Sequence, residues 1–251
     1  MLFRLALILA VLAIVGGLAG AAAAEGDVSV TVTLKGVSSH VVDAGLELSD
    51  KPALQTDVFV TFPGGFYFDF WHSAGLGNLS LSSDFADEID YTLGWIGKIR
   101  NFTVDMGVAY FDLIELLDMP RGDIWRLHFD ICRQIDLANE HWVRPFARIE
   151  GLYPAGGDTP ESGMNLRIGL LHWLRLGSHV GIAQKLSLIY DDGMGGLQPA
   201  VLGKYEVGPQ WSLPRKLTLE APYVKVNGPF TGVTDGRNWH VVVGAALSFK
   251  F

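Results

Sequence analysis

From Val28 to the last residue one pattern recurs: bulky apolar side chains take every second place, with polar, charged or glycine residues between them. The stretch 124–133 sets Trp125, Leu127, Phe129 and Ile131 against Arg126, His128, Asp130 and Cys132; the stretch 101–110 sets Phe102, Val104, Met106, Val108 and Tyr110 against Asn101, Thr103, Asp105, Gly107 and Ala109. A period of two is a β-strand with unlike faces. Charges stand in mid-strand, Arg126, Asp130, Arg148 and Arg167 among them, opposite faces of large apolar residues. A lipocalin-like or sandwich protein would turn its apolar faces inward. A barrel in lipid turns them outward and keeps charges in its lumen, which accommodates both faces at once.

The pattern predicts an all-β chain with about twelve strands, at 28–34, 52–62, 66–73, 88–96, 101–110, 124–133, 141–153, 164–174, 180–190, 197–207, 215–226 and 238–251. Their lengths approach the ~9–11 residues a tilted membrane strand needs. Connections alternate long and short. The short ones are Pro63-Gly64-Gly65, 97–100, 136–140, Leu176-Gly177-Ser178 and Gly208-Pro209-Gln210, and the long ones are polar or glycine-rich. In an antiparallel meander alternate connections share an end, so the long loops gather at one rim, as the extracellular loops of outer-membrane barrels do. Both chain ends are then expected on the periplasmic side. Pro145, Pro199, Pro214 and Pro222 mark edges or bulges, because proline gives no donor to a ladder.

The compartment follows from the first residues. Arg4 precedes the apolar run 5–15, and small residues lead to Ala22-Ala23-Ala24. This has the form of a secretory signal, residues 1–24, with cleavage after Ala24 and the barrel at 25–251. A spanning helix would need ~18–20 apolar residues without interruption, and Gly16, Gly17 and Gly20 interrupt this one. Cys132 is the only cysteine, so no disulfide forms within the chain. A net charge of −8 argues against nucleic acid as a partner, since binding phosphates needs a basic surface.

In the closing stretch 238–251, Trp239, Val241, Val243, Ala245, Leu247, Phe249 and Phe251 alternate with a set that contains Asn238, His240, Gly244, Ser248 and Lys250. It resembles the last strand of bacterial outer-membrane barrels, apolar outward with a terminal Phe. That resemblance implies an integral outer-membrane protein in contact with lipid, inserted by the barrel-assembly machinery. Further upstream stand Lys51-Pro52-Ala53-Leu54-Gln55, the stretch 65–73 (GFYFDFWHS), Asp87-Glu88-Ile89-Asp90-Tyr91 and Gly94-Trp95. Over about residues 50 to 96 these segments are similar to the early strands of the TorF-type porins. The resemblance implies a pore-forming barrel, brings no catalytic residue with it, and leaves the cargo open.

By strand phase the lumen-lining residues are Glu88, Asp90, Asp105, Arg126, His128, Asp130, Arg144, Arg148, Glu150, Arg167, Lys204 and Glu206, with Arg175, Lys185, Lys216 and Glu220 added at the margins. Opposed charges in near balance either pair and close a narrow barrel or set a transverse field along a water path. Twelve strands lie between filled barrels of ~8 and open channels of ~16–18, so size does not decide. The expected function is a porin-like channel for small solutes, without cofactor or metal. The alternatives are an outer-membrane lipid hydrolase and a non-conducting structural barrel.

Three constellations have the residue types of sites of chemistry. His128, Asp130 and Cys132 share one strand face and could hold a metal, but a hydrogen-bonded wall beside Arg126 explains them as well. The stretch 191–196 (DDGMGG) lacks the alternating acids and terminal Glu of a calcium loop and reads as a solvated turn. A lipid hydrolase needs a serine beside a histidine. His72 sits on an apolar face near the outer rim, with Ser73 on the opposite face and Ser80, Ser82 and Ser83 in the next loop; His172 lies on an apolar face near the periplasmic end. For both histidines a place at the headgroup level is the simpler reading.

The long loops are biased in sign. Asp43, Glu47, Asp50, Asp84, Glu115, Asp118, Asp123, Asp158, Glu161, Asp191, Asp192 and Asp235 stand against only Lys51, Arg121 and Arg237. An acidic outer rim would concentrate cations and could hold divalent ions against an anionic lipid surface.

Overall fold

In a computed structural model, described for residues 28–43, 45, 47–76, 88–112, 123–155, 162–193 and 197–251, the chain is a closed antiparallel β-barrel. The signal assigned to 1–24 lies outside the described residues. Twelve long strands form the wall: β1 (Ser29–Val37), β4 (Ala53–Thr61), β5 (Phe66–Gly75), β6 (Glu88–Ile99), β7 (Phe102–Asp112), β8 (Ile124–Cys132), β10 (Trp142–Pro154), β11 (Gly163–Arg175), β12 (Val180–Asp191), β13 (Ala200–Leu213), β14 (Leu217–Pro229) and β15 (His240–Lys250). Each pairs with its neighbours along the chain, and β15 closes on β1, where Leu247 faces Leu34 and Ser248 faces Thr33. Closure leaves no edge with unpaired backbone groups, which a barrel in lipid requires. Three short strands are additional: β9 (Ile135–Asp136) widens one turn, and β2 (His40–Val41) pairs with β3 (Glu47–Ser49) apart from the wall.

Short turns and both ends of the barrel chain share one rim; the long connections share the other. The turn expected at Gly208-Pro209-Gln210 is absent, because β13 continues to Leu213 and the chain reverses at 214–216. There Arg215 and Lys216 take the left-handed backbone region, at φ 62° and 58°. Proline is accommodated at the register shifts that lie between Val207 and Gln210 on β13 and between Glu220 and Tyr223 on β14.

Outward faces carry Leu93, Met106, Phe129, Ile149, Ile168, Leu188 and Val243, all exposed. Aromatic residues flank this apolar band at both ends: Trp125, Tyr153, Tyr190, Phe230 and Trp239 toward the long loops, and Phe62, Phe66, Phe102 and Phe251 toward the short turns. Two aromatic girdles bordering an apolar band are the exterior of a membrane barrel. Glycines inside strands make room for rings. A side chain at Gly94 would meet the Tyr67 ring, at Gly169 that of Phe146, and at Gly244 that of Tyr223.

Candidate functional site: the barrel lumen

The register brings charged side chains inward on every long strand from β4 to β14 and on β1. Acids gather on one arc: Asp57 and Asp69 on β4 and β5, Glu88 and Asp90 on β6, Asp105 on β7 and Asp130 on β8, with Arg126 among them. Bases gather on the other: Arg148, Arg167, Lys185, Lys204, Lys225 and Lys35, with Glu150, Glu206 and Glu220 interspersed. The arcs meet where Arg148 grips Asp130, Nε donating to Oδ1 at 2.7 Å and Nη2 lying 2.6 Å from Oδ2. This is a bidentate pair, the geometry in which a guanidinium holds a carboxylate best.

The lumen is not empty at the end of the long loops. The β2–β3 hairpin folds into it, and its backbone carbonyls are taken by wall side chains: Lys225 Nζ donates to Val41 O at 2.6 Å, and Asn227 Nδ2 to Val42 O at 2.9 Å. Val41 packs with Val37, Ala53, Tyr223 and Val242 in a buried cluster, and Gly45 rests close to Leu202. At the tip Asp43 bridges two wall cations, with Oδ2 2.6 Å from Arg167 Nη2 and Oδ1 accepting from Lys204 Nζ at 2.6 Å. Burial works to raise the Asp43 pKa, but Arg167, then Lys204 and Lys225, hold it well below the usual carboxylate range. Near the base of the hairpin His40 lies 3.5 Å from Glu88 and against the Trp71 ring. Burial and the charge of Lys225 push His40 down to about 4, so it is neutral at pH 7.

Beneath the hairpin lies a cavity of about 570 Å³, to which Lys35, Glu88, Asp90, Arg126, Lys204 and Lys225 contribute. A second, of about 290 Å³, lies toward the short turns and includes Asp57, Glu220, Tyr223 and Ser248. Both are bordered by Lys35, Gln55, Trp71 and Glu206.

The remaining lumen expectations fall in three places. His128 joins Tyr67 and Asp105: Tyr67 OH donates to Asp105 Oδ1 at 2.9 Å and lies 3.1 Å from His128 Nε2. Arg144 stands at the rim of the short turns, donating to Gln134 at 2.7 Å with its guanidinium over the Trp142 ring. Arg175 pairs there with Glu140, and Lys216 is a turn residue. A candidate metal cluster among the described residues is Asp105, His128 and Asp130, within 4.8 Å of one another. Cys132 is not part of it. Both oxygens of Asp130 already hold Arg148, which sets a fixed positive charge beside the position a metal would take.

His72 faces away from the lumen, between Thr56 and Ile89, and is buried, whereas Ser73 faces inward. Ser80, Ser82 and Ser83 lie outside the described residues. His172 also faces outward, with Gln184 Nε2 3.5 Å from its Nδ1.

The acidic rim needs correction. Asp43 is inside the barrel; Asp123 is buried and accepts a hydrogen bond from Tyr110; Asp191 is buried against Arg237. Asp235 pairs with Arg237 as well; burial works to raise its pKa, but hydrogen bonds from the Arg237 side chain and from the backbone of Gln198 and Arg237 together hold it below its ordinary value. Glu47 lies 3.6 Å from His240. Loop composition suggested free acids, but carboxylates with arginines within reach fold back onto them. Asp50 and Asp192 stay exposed, while Asp84, Glu115, Asp118, Asp158, Glu161 and Arg121 lie outside the described residues.

Strand phase in the sequence does not bring Lys35, Asp57, Asp69 and Lys225 into the lumen, and composition places Asp43 in a loop. Asp57 and Asp69 interrupt otherwise apolar strands, a signal that was readable. Lys225 was not accessible to simple alternation, because the irregularity at Pro222 shifts the inward phase of β14 from even to odd residues.

No protein-family model matches the chain, and no curated protein matches it in sequence. Its fold does match solved outer-membrane barrels. The NanC porin aligns at TM-score 0.53 and 12% identity, covering 88% of this chain and 100% of that one. The KdgM porin aligns at 0.54 and 9%, covering 89% and 99%. A bacterial polysaccharide outer-membrane secretin aligns at 0.50 and 8%, covering 88% and 98%. At such identities the likeness is one of fold: this chain has the architecture of the outer-membrane porins.

Proposed function

We propose that the protein is an integral outer-membrane channel of porin type, passing small charged solutes, with its signal removed after Ala24 and both ends of the barrel chain in the periplasm. One observation carries the reading: two cavities bordered by the same four residues lie inside a barrel whose walls are charged and whose exterior is apolar. A closed structural barrel would gain more by filling its interior with apolar side chains than by desolvating so many charges. Among barrels of this fold, the KdgM porin is known in complex with disordered oligogalacturonate, which supports a small polar solute as cargo. The segments at 51–55, 65–73 and 87–95 support placing the chain near the TorF-type porins. Lipid at the apolar band, the barrel-assembly machinery, and divalent cations at exposed Asp50 and Asp192 complete the expected partners. Lipid hydrolysis is not part of the proposal, since His72 and Ser73 occupy opposite faces of β5.

Reconstitution in planar bilayers tests the reading. Stepwise conductance that saturates with a charged solute is expected, and a fully inserted barrel without conductance would refute it.

A further inference from the structure

The Asp43 carboxylate occupies a position built for a carboxylate. Its two oxygens are divided between two donors, Arg167 Nη2 and Lys204 Nζ, each at 2.6 Å. These donors belong to the wall, on β11 and β13, whereas Asp43 is carried by a hairpin whose strands pair only with each other. The hairpin can therefore leave without breaking any hydrogen bond of the barrel ladder. Its other ties are side-chain contacts, from Lys225, Asn227 and His240, from Glu88 and Trp71 to His40, and the packing of Val41. The Asp43 side chain keeps 37% of its exposure, on the 570 Å³ cavity, a volume in the range of small-molecule sites. When it leaves, Arg167 retains, among the described residues, Glu150 at 3.7 Å, while Lys204 retains Glu206 at 2.7 Å. Lys35, Lys185 and Lys225 remain on the same arc, so the vacated position is cationic.

We propose that Arg167 and Lys204 form a binding site for small solutes bearing a carboxylate, and that Asp43 is its tethered occupant, displaced with the hairpin when such a solute arrives. The inference rests on the channel reading only for the route of arrival. Two donors set to the two oxygens of one carboxylate favour that group over a spherical anion of the same charge. A tethered competitor is present at an effective concentration in the ~mM range, so free solute binds the native protein weakly. Removing the competing charge should tighten binding about tenfold or more.

The test uses the full barrel in detergent micelles, with sodium gluconate as the probe and sodium chloride of equal ionic strength as reference. Calorimetry should give gluconate binding at least tenfold tighter in Asp43→Asn than in the native protein, and lost in Asp43→Asn/Arg167→Gln. Asp43→Asn/Lys204→Gln provides the same comparison should the arginine variant not assemble. In the native protein, Trp71 emission, defined by difference from Trp71→Phe, should change on saturation as His40 withdraws from its ring. Equal affinity in native protein and Asp43→Asn, or an equal response to chloride, overturns the proposal. A barrel that binds gluconate in this order but carries no current would keep the site and refute the channel; one that conducts without the Asp43 effect would do the reverse.

Discussion

The Arg237 guanidinium lies 2.7 Å from the Asp191 carboxylate, and both side chains are completely buried. Arg237 also reaches Asp235 and the carbonyl of Gln198, while Asp235 accepts from Gln198 N at 2.9 Å. The connection after β14 is thereby fastened to the one before β13. Breaking a buried pair by removing one partner leaves an uncompensated charge, at a cost of about 3–5 kcal/mol. Arg237→Ala is expected to open this clasp and expose 197–199 and 230–239 to proteolysis, with the barrel still folded. Hydrogen exchange by mass spectrometry checks it, and native protection in both segments would count against the clasp.

Docking of the hairpin should depend on pH. The His40 pKa falls from 6.5 to about 4 on docking, so the released hairpin binds a proton at pH values where the docked one does not. Docking is therefore strongest above pH 6.5 and is lost progressively as pH falls toward 4. Burial is the larger cause of the lowered His40 pKa, and the charge of Lys225 reinforces it. Trp71 emission titrated between pH 7.5 and 4 should follow release, and His40→Gln should flatten the curve. A signal independent of pH in the native protein would sink the idea.

Twelve strands, their directions and the inward phase of most of them were legible in the sequence, because a half-lipid, half-water environment writes a period of two into each strand. The bulge at Pro222 marks one limit: an extra residue on one strand changes the phase of everything beyond it, and only the pairing partners reveal the count. Asp43 marks another. Nothing local distinguishes it from Asp50, which stays exposed; what places it is the approach of Arg167 and Lys204, more than a hundred residues away in the chain. The Arg237 clasp was hidden for the same reason.

Gly244 should not tolerate even alanine. An added Cβ would lie 2.3 Å from the Tyr223 ring and 2.4 Å from the Gly36 carbonyl oxygen. A ring can turn, but the backbone of β1 at the closing seam cannot yield without shifting its pairing with β15. Gly244→Ala is therefore expected to lower barrel stability by about 1–3 kcal/mol through overpacking. Gly36→Ala, on the same seam, has open space at its Cβ and serves as control. Urea midpoints in lipid vesicles compare the two, and equal midpoints would show that the seam relaxes.

The outward and inward faces of the closing strand can be separated one residue apart. Leu247 pairs with Leu34 and Leu219 on the apolar face, while Ser248 contacts Thr33 Oγ1 at 2.9 Å and borders the 290 Å³ cavity. A slip of one residue would exchange these environments along the whole strand. Nitroxide labels at the two positions in lipid vesicles should differ, Leu247 collisional with oxygen and Ser248 with a water-soluble relaxation agent. The same division governs charge. Ile168 is 54% exposed in the middle of β11, where an arginine would meet hydrocarbon at a cost of about 2–4 kcal/mol. Arginine is native one residue away, at Arg167, because that side chain points into the lumen, to Asp43 of the hairpin and Glu150 of the neighbouring strand. Ile168→Arg should therefore lower the urea midpoint and the yield of inserted barrel, whereas Ile168→Val should leave both nearly unchanged. Equal labels at Leu247 and Ser248, together with a neutral Ile168→Arg, would mean that the apolar band does not face lipid.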